Sequence, residues 1–314
     1  ITFIILIFKE MMIFAVLGLE KILPFFSKST EIINDDRRDF LQKSLSVGVL
    51  TITTPSAVYG FYEARKGPSI IEQKIKLGNK LPDSFNGMTI AQISDLHVGP
   101  TIKKGYVENV VAKISQLNPD MIVITGDLID GSIKHLRNDL APLADLSASC
   151  GVYFVTGNHE YYSGVDYCVE HIDKLGITNL INEHIVINKK KDNIILAGIT
   201  DYRAGYIKPS HRSNPSLALD GASKDLVRIL LAHQPNSIYD VHKAGVDLQI
   251  SGHTHGGQFW PFNIPTGLAN AYLAGHYDHS GTQIYVNRGT GYWGPPLRLG
   301  VPAEITLFRL IKDT

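Results

Sequence analysis

From Met88 onward, apolar and polar positions follow two alternating periods. Met88–Ser94 (MTIAQIS) is a short strand-like run. Val107, Val110, Val111, Ile114 and Leu117 then recur at helical spacing within Gly105–Leu117. Met121–Thr125 (MIVIT) reads as a second, buried strand, Leu136–Leu146 as a helix in spite of Pro142, and Val152–Thr156 as a third strand. Strand–helix–strand units of about 30 residues imply a parallel sheet. Further strands are expected at Ile194–Ile199, Val227–Ala232, Leu248–Ser251, Ile284–Asn287 and Glu304–Arg309. Less helical sequence separates these, so the second half is expected to be more antiparallel. No internal repeat or low-complexity tract interrupts the pattern.

The sequence before Met88 is different in kind. Residues 1–26 are mostly apolar and read as a truncated transmembrane helix, and 27–44 as a polar linker. Leu45–Tyr62 then runs 18 residues without a charge, which meets the lower limit of about 18 residues for a membrane span. Just ahead of it, Arg37-Arg38-Asp39-Phe40-Leu41-Gln42-Lys43 resembles a twin-arginine export signal. An ordinary buried helix or strand pair remains the alternative, because glycines, threonines and Pro55 weaken the run as a helix. Basic residues flank both sides, so the positive-inside rule does not orient it. The twin-arginine resemblance places the domain on the exported, periplasmic or extracytoplasmic face. Residues 63–87 are expected to be a linker, and 88–311 the catalytic domain.

Composition narrows the chemistry. Thirty basic and thirty acidic residues give a formal net charge of zero. A nucleic-acid binder needs a basic surface to displace counterions, so none is expected here. Cys150 and Cys168 are the two cysteines; they form no Cys-x-x-Cys pair, and no disulfide can be read from them. Any metal site must therefore use histidine, carboxylate and amide ligands.

Such ligands fall where the strands end. Asp95 and His97 follow the first strand, Asp127 the second, and Asn158, His159 and Glu160 the third. His233 follows Val227–Ala232, while His253 and His255 follow Leu248–Ser251. In open α/β sheets ligands gather at the carboxyl ends of strands, so residues distant in sequence can converge there. Asp95/His97 and His253/His255 are each two apart, which in an extended segment faces both side chains the same way. Gly126, Gly157 and Gly252 are expected to let the backbone turn sharply. Any one of these residues alone reads as a helix cap or turn residue; their joint placement is the signal. Imidazole with carboxylate suits Mn, Fe or Zn better than Ca or Mg.

The series Asp95-x-His97, Gly126-Asp127-x-x-Asp130, Gly157-Asn158-His159-Glu160, His233 and Gly252-His253-x-His255 resembles the calcineurin-like metallophosphoesterase superfamily. The longer strings around these motifs, with Gly291–Gly300 (GYWGPPLRLG), are similar to a membrane-associated or exported bacterial branch. The resemblance implies an α/β fold, a four-layer α-β-β-α sandwich of two mixed sheets. It also implies two metals, one held by Asp95, His97, Asp127 and His255 and the other by Asp127, Asn158, His233 and His253, with Asp127 bridging. His159 is by the same resemblance the general acid, with Glu160 and Asp130 as supporting residues.

Charge leads to the same chemistry. Two divalent ions against two carboxylates leave an excess of about two positive charges, which suits a phosphate ester. A water bridging metals about 3.5–4 Å apart becomes acidic enough to supply hydroxide for in-line attack on phosphorus at neutral pH. The expected enzyme is a metal-dependent phosphoester hydrolase. Its expected substrate is an amphipathic phosphodiester or diphosphate at the membrane, such as a phospholipid or a lipid diphosphate of the UDP-diacylglucosamine kind. A soluble nucleotide or small phosphoester is the alternative, and a non-catalytic metal-binding scaffold a third reading. Asp201 and Arg203 either touch substrate or form a loop salt bridge. Trp260, Tyr272, Tyr292 and Trp293 either rim the site for a lipid-like group or simply pack.

Overall fold

A computed structural model describes residues 35–312. The chain divides into two units, with the boundary between Tyr62 and Glu63. The apolar segment 1–26 and the first part of the polar linker lie outside the described residues. Leu45–Tyr62 is not a strand pair. It belongs to one helix, α1 (Asp35–Arg65), with Pro55 inside it. Among the described residues no helix is long and apolar enough to cross a membrane. The same glycines and hydroxyl side chains that leave the run uncharged also dilute its hydropathy. Val47, Leu50, Ile52 and Val58 on this helix are exposed.

The second unit is built on two six-stranded sheets. The first has the order β1 (Ser69–Lys76), β12 (Glu304–Ile311), β2 (Thr89–Ile93), β3 (Met121–Ile124), β4 (Val152–Phe154), β5 (Thr178–Asn179). Its strands are parallel except at the β12–β2 junction. The second has the order β10 (Gly275–His279), β11 (Thr282–Val286), β9 (Leu248–Ser251), β8 (Arg228–Leu231), β7 (Asp192–Gly198), β6 (Glu183–Lys189). Antiparallel pairing is confined to its two edges, and β11, β9, β8 and β7 run parallel. The shorter connections thus altered the rim of the sheet and left its centre parallel. Residues 63–87, expected as a linker, contain β1, whose eight residues pair in register with β12.

Period-two alternation divides the core into layers. Ile90, Val123 and Phe308 of the first sheet meet Leu196, Ile229 and Ile250 of the second in one apolar cluster. Their strand neighbours Ala91, Ile122 and Leu307 face the other way, onto helices α2 (Lys104–Leu117), α3 (Ile133–Leu140) and the following helical residues Cys168 and Ile172. On the far side, Ile195, Ala197 and Leu230 pack against Ala218, Leu219 and Val241. The result is helix, sheet, sheet, helix. Each fully buried Leu or Ile in these layers contributes about 1.5–3 kcal/mol. The sheets are also pinned to each other by a buried amide, since Gln92 Nε2 donates to Ser251 O at 2.9 Å. That bond joins Gln92 near the end of β2 to Ser251 at the end of β9, next to where the polar residues collect.

Candidate metal centre

Five strands deliver the predicted ligands from their carboxyl ends. Asp95 and His97 lie beyond β2, Asp127 beyond β3, and Asn158 beyond β4 at the start of α4 (Asn158–Ser163). His233 follows β8, and His253 and His255 follow β9. The first sheet therefore supplies the carboxylates and Asn158, and the second supplies three imidazoles. One bond across the seam sets the two groups in register: the His253 N–H donates to both Asp95 oxygens, at 2.9 and 3.1 Å.

The backbone that achieves this is not extended. Asp95, His97, Asp127, His253 and His255 all adopt positive φ, between 51° and 74°. Non-glycine residues rarely occupy this left-handed region, and where they do the surroundings must hold them. The two ligand pairs thus converge by turning, and the extended geometry expected from their spacing is absent. Hydrogen bonds hold the turns: Asp95 N–H to Gly126 O and His97 N–H to Asp127 O, both at 3.0 Å. The glycines also act otherwise than expected. Gly126 does turn, at φ 86°. Gly157 has φ −98° and is required for space, because a Cβ there would run into the Asp127 carboxylate. A Cβ at Gly252 would likewise strike Ser94 and Asp95.

The side-chain atoms form two groups around a shared carboxylate. In one group, Asp95, His97 and His255 bring their ligand atoms within 4.8 Å of one another; in the other, Asp127, His233 and His253 do the same. His97 Nε2 and His255 Nε2 face each other at 3.1 Å, as do His233 Nε2 and His253 Nδ1. Asp127 Oδ2 lies 3.1 Å from His233 Nε2 and 3.9 Å from His97 Nε2. Ring nitrogens brought together around carboxylates fit a site meant to hold cations. Asn158 gives a second sign of this. Its Oδ1 is buried and accepts no hydrogen bond among the described residues, an arrangement that is costly unless a donor or cation is meant to meet it.

Electrostatics within the crevice are strained. Burial pushes the Asp95 carboxyl up. Burial pushes Asp127 the same way, but His233, His97 and His159 outweigh it and hold Asp127 well below the usual carboxylate range. Burial and the neighbouring His233 push His253 down to about 3, and burial with His97 and Arg298 holds His255 well below the ordinary histidine value. Neutral imidazoles of this kind keep the lone pairs that a metal uses.

The structure gives His159 and the two acids beside it distinct positions. Asp130 Oδ1 lies 2.5 Å from His159 Nδ1 and 3.0 Å from His97 Nδ1, so one carboxylate holds both rings. Burial would lower the His159 pKa, yet the bond to Asp130 and the Asp127 charge raise it overall. Glu160 is buried and accepts from the N–H groups of Asp127, Leu128 and Gly157 at 2.9, 2.8 and 2.6 Å, which ties the β3 turn to the β4 turn. Asp201 is buried, accepting from Gln234 Nε2 and the Arg203 N–H, and the exposed Arg203 makes no side-chain ion pair with it. Of the four aromatics singled out, Tyr292 is core and Tyr272 stacks on Tyr277, while Trp260 and Trp293 are exposed. Tyr162, which adjoins His159, and Gln258, which holds the Trp293 backbone, were given no role from sequence, although Gln258 and Arg298 lie in the longer strings that carry the family resemblance.

The profile described as calcineurin-like phosphoesterase matches residues 88–257. The chain is 38% identical over 269 residues to "Transmembrane protein with metallophosphoesterase domain" of Danio rerio, covering 83% of this chain and 61% of that protein. It is also 38% identical over 292 residues to "Uncharacterized metallophosphoesterase" of Helicobacter pylori, covering 91% of this chain and 76% of that one. The chain thus spans less than two thirds of the fish relative's length.

Proposed function

Because the chain belongs to the calcineurin-like phosphoesterase family, and is accordingly a phosphoester hydrolase, we propose that its crevice binds two divalent cations and cleaves an amphipathic phosphodiester or diphosphate. The observation that carries the cation sites is the meeting of Asp95, His97, Asp127, His233, His253 and His255 beside the unpartnered Oδ1 of Asn158. We assign Asp95, His97, Asp127 and His255 to one ion, and Asp127, Asn158, His233 and His253 to the other. Such ions, of the Mn, Fe or Zn kind, supply a water acidic enough to attack phosphorus at neutral pH and neutralise the charge that builds there.

The protein's own part is orientation and proton delivery. His159 Nδ1 is engaged by Asp130, and its Nε2 faces the crevice, 3.9 Å from Asp127 Oδ2. That nitrogen is the one we assign to protonate the leaving oxygen. Asp127 is fixed for its bridging position by the His159 N–H, which donates to its Oδ1 at 2.9 Å.

Support for an amphipathic substrate comes from the segment after His255. A Cβ at Gly257 would collide with Asn263, so residues 259–269 lie directly against the ligand turn. Within that segment Trp260, Phe262, Ile264 and Leu268 are all exposed. Exposed apolar patches beside a site mark surfaces for apolar ligands or membranes. The name of the Danio rerio relative supports placing the reaction at a membrane. Metal analysis of the purified chain, with turnover of bis(p-nitrophenyl) phosphate and of phospholipid in mixed micelles, tests the proposal. Metal-dependent turnover of both is expected, faster with the micelles. Activity that ignores chelation would overturn the cation sites, and no gain with lipid would overturn the amphipathic substrate in favour of a soluble phosphoester.

A further inference from the structure

We propose that Trp293 and Tyr162 form an aromatic slot over His159 that takes a planar leaving group, and that Gln258 positions Trp293 within it. This deepens the phosphoester reading and rests on it.

The slot is defined by three rings. The His159 ring centroid lies 5.5 Å from that of Tyr162 and 6.1 Å from that of Trp293, both edge-to-face. Tyr162 is 65% exposed and Trp293 52%. Rings used only for packing are normally covered, whereas these two flank a half-buried imidazole and leave their surfaces to solvent. His159 has no freedom to turn away, because Nδ1 is held by Asp130 and its other side meets His97, with centroids 4.7 Å apart. A leaving oxygen that takes its proton from Nε2 brings its attached group up beside the rings that adjoin His159, those of Tyr162 and Trp293. A flat π-face is the chemistry those rings recognise.

Trp293 is also held more firmly than an idle surface residue requires. Gln258 is buried, and both ends of its amide are spent on the Trp293 backbone: Oε1 accepts from the Trp293 N–H and Nε2 donates to its carbonyl, each at 2.8 Å. Arg298 is fully buried and gathers the rest of the loop about the His255 ring, whose Nδ1 lies 3.2 Å from the arginine Nη2. Its Nε and Nη2 donate to Gly291 O at 2.9 and 2.6 Å, Nη2 donates to Arg288 O at 2.8 Å, and Nη1 to Val301 O at 3.2 Å. The loop base is joined to the ligand turn itself, through Gly291 N–H to Asp95 O at 3.0 Å. Buried amide groups are costly to desolvate, and here that of Gln258 serves to fix the backbone of the residue that carries an exposed indole beside the proton donor.

Phenylphosphonate and methylphosphonate, titrated calorimetrically into the metal-loaded full chain, test the slot. The parent protein is expected to bind the phenyl compound about tenfold more tightly, in line with an aromatic contact worth about 1.4 kcal/mol. Trp293→Ala should bring the two affinities within about twofold, Trp293→Phe should keep most of the preference, and Gln258→Ala should fall between. Methylphosphonate affinity reports whether each variant retains a folded metal site. Trp260 and Trp293 are the two tryptophans, so in a Trp260→Phe background phenylphosphonate should quench the emission of Trp293. A phenyl preference that survives Trp293→Ala, or its absence from the parent protein, overturns the slot. Failure of both phosphonates to bind overturns the phosphoester reading itself, and the slot falls with it.

Discussion

The crevice at the strand ends and the apolar segment beside it, residues 259–269, touch each other and are held in opposite ways. In the crevice almost every side chain is gripped by a second residue: Asp95 by the His253 N–H, Asp127 by His159 N–H, His97 and His159 by Asp130. The backbone there is kept in an unfavourable region at five ligand positions. In the neighbouring segment, α5 (Asn263–Ala269) buries no residue, and Leu268 is 86% exposed. On the function proposed above, the contrast separates two demands on one site. Positioning reacting groups requires over-determined geometry, while meeting a fluid apolar substrate requires area and little else.

If that division is right, substitutions in the crevice should be severe and those in the segment mild. Asp127→Asn is expected to cost the most, about a thousandfold in kcat/KM, because it touches both ligand groups and such ions are worth several kcal/mol at the transition state. Elemental analysis should show metal lost with it. Next is His159→Gln, with kcat for an alkyl leaving group down about a hundredfold or more. The same variant should lose far less on p-nitrophenolate, which leaves without a proton, and equal losses on both would remove His159 as the acid.

Asp130→Asn should cost about ten- to a hundredfold, as for other residues that orient a metal-bound histidine. It should also move the pH profile. Asp130 raises the His159 pKa, so protonated His159 persists to higher pH and activity is lost as pH rises through that raised value. Without Asp130 the basic limb must shift to lower pH; a fixed limb would sever the pair. The smallest effect belongs to the apolar segment, where Leu268→Ser should lower the ratio of micellar to soluble turnover about threefold. A loss there matching that of Asp130→Asn would erase the distinction between the two regions.

The sequence indicated which residues meet in the crevice better than the geometry by which they meet. Asp95, His97, Asp127, Asn158, His233, His253 and His255 could be named because each follows a recognisable strand, and strands with buried faces announce themselves. Their left-handed backbone could not be read, since nothing in Asp-x-His or His-x-His requires positive φ. The rule for Gly157 and Gly252 also stayed hidden, because close approach is a property of the neighbour. β1 and β6 escaped notice as edge strands, with one face half exposed and no long apolar run. Gln258 and Arg298 lie in the longer strings that carry the resemblance, but nothing in those strings says what the two side chains hold, and Tyr162 had no pattern at all.

The seam between the sheets gives the crevice a thermodynamic role as well. Three imidazoles come from one sheet and the carboxylates and Asn158 from the other, so an ion bound by both closes a circuit through the whole domain. Ligand binding that the unfolded chain cannot reproduce raises stability by about RT ln(1 + [L]/Kd). With ions held as proposed, the free energy of holding the two sheets together would become a function of metal concentration. A chelator would act on this protein as a mild denaturant directed at one interface, and protection of the β8 and β9 amides from exchange would report the metal supply.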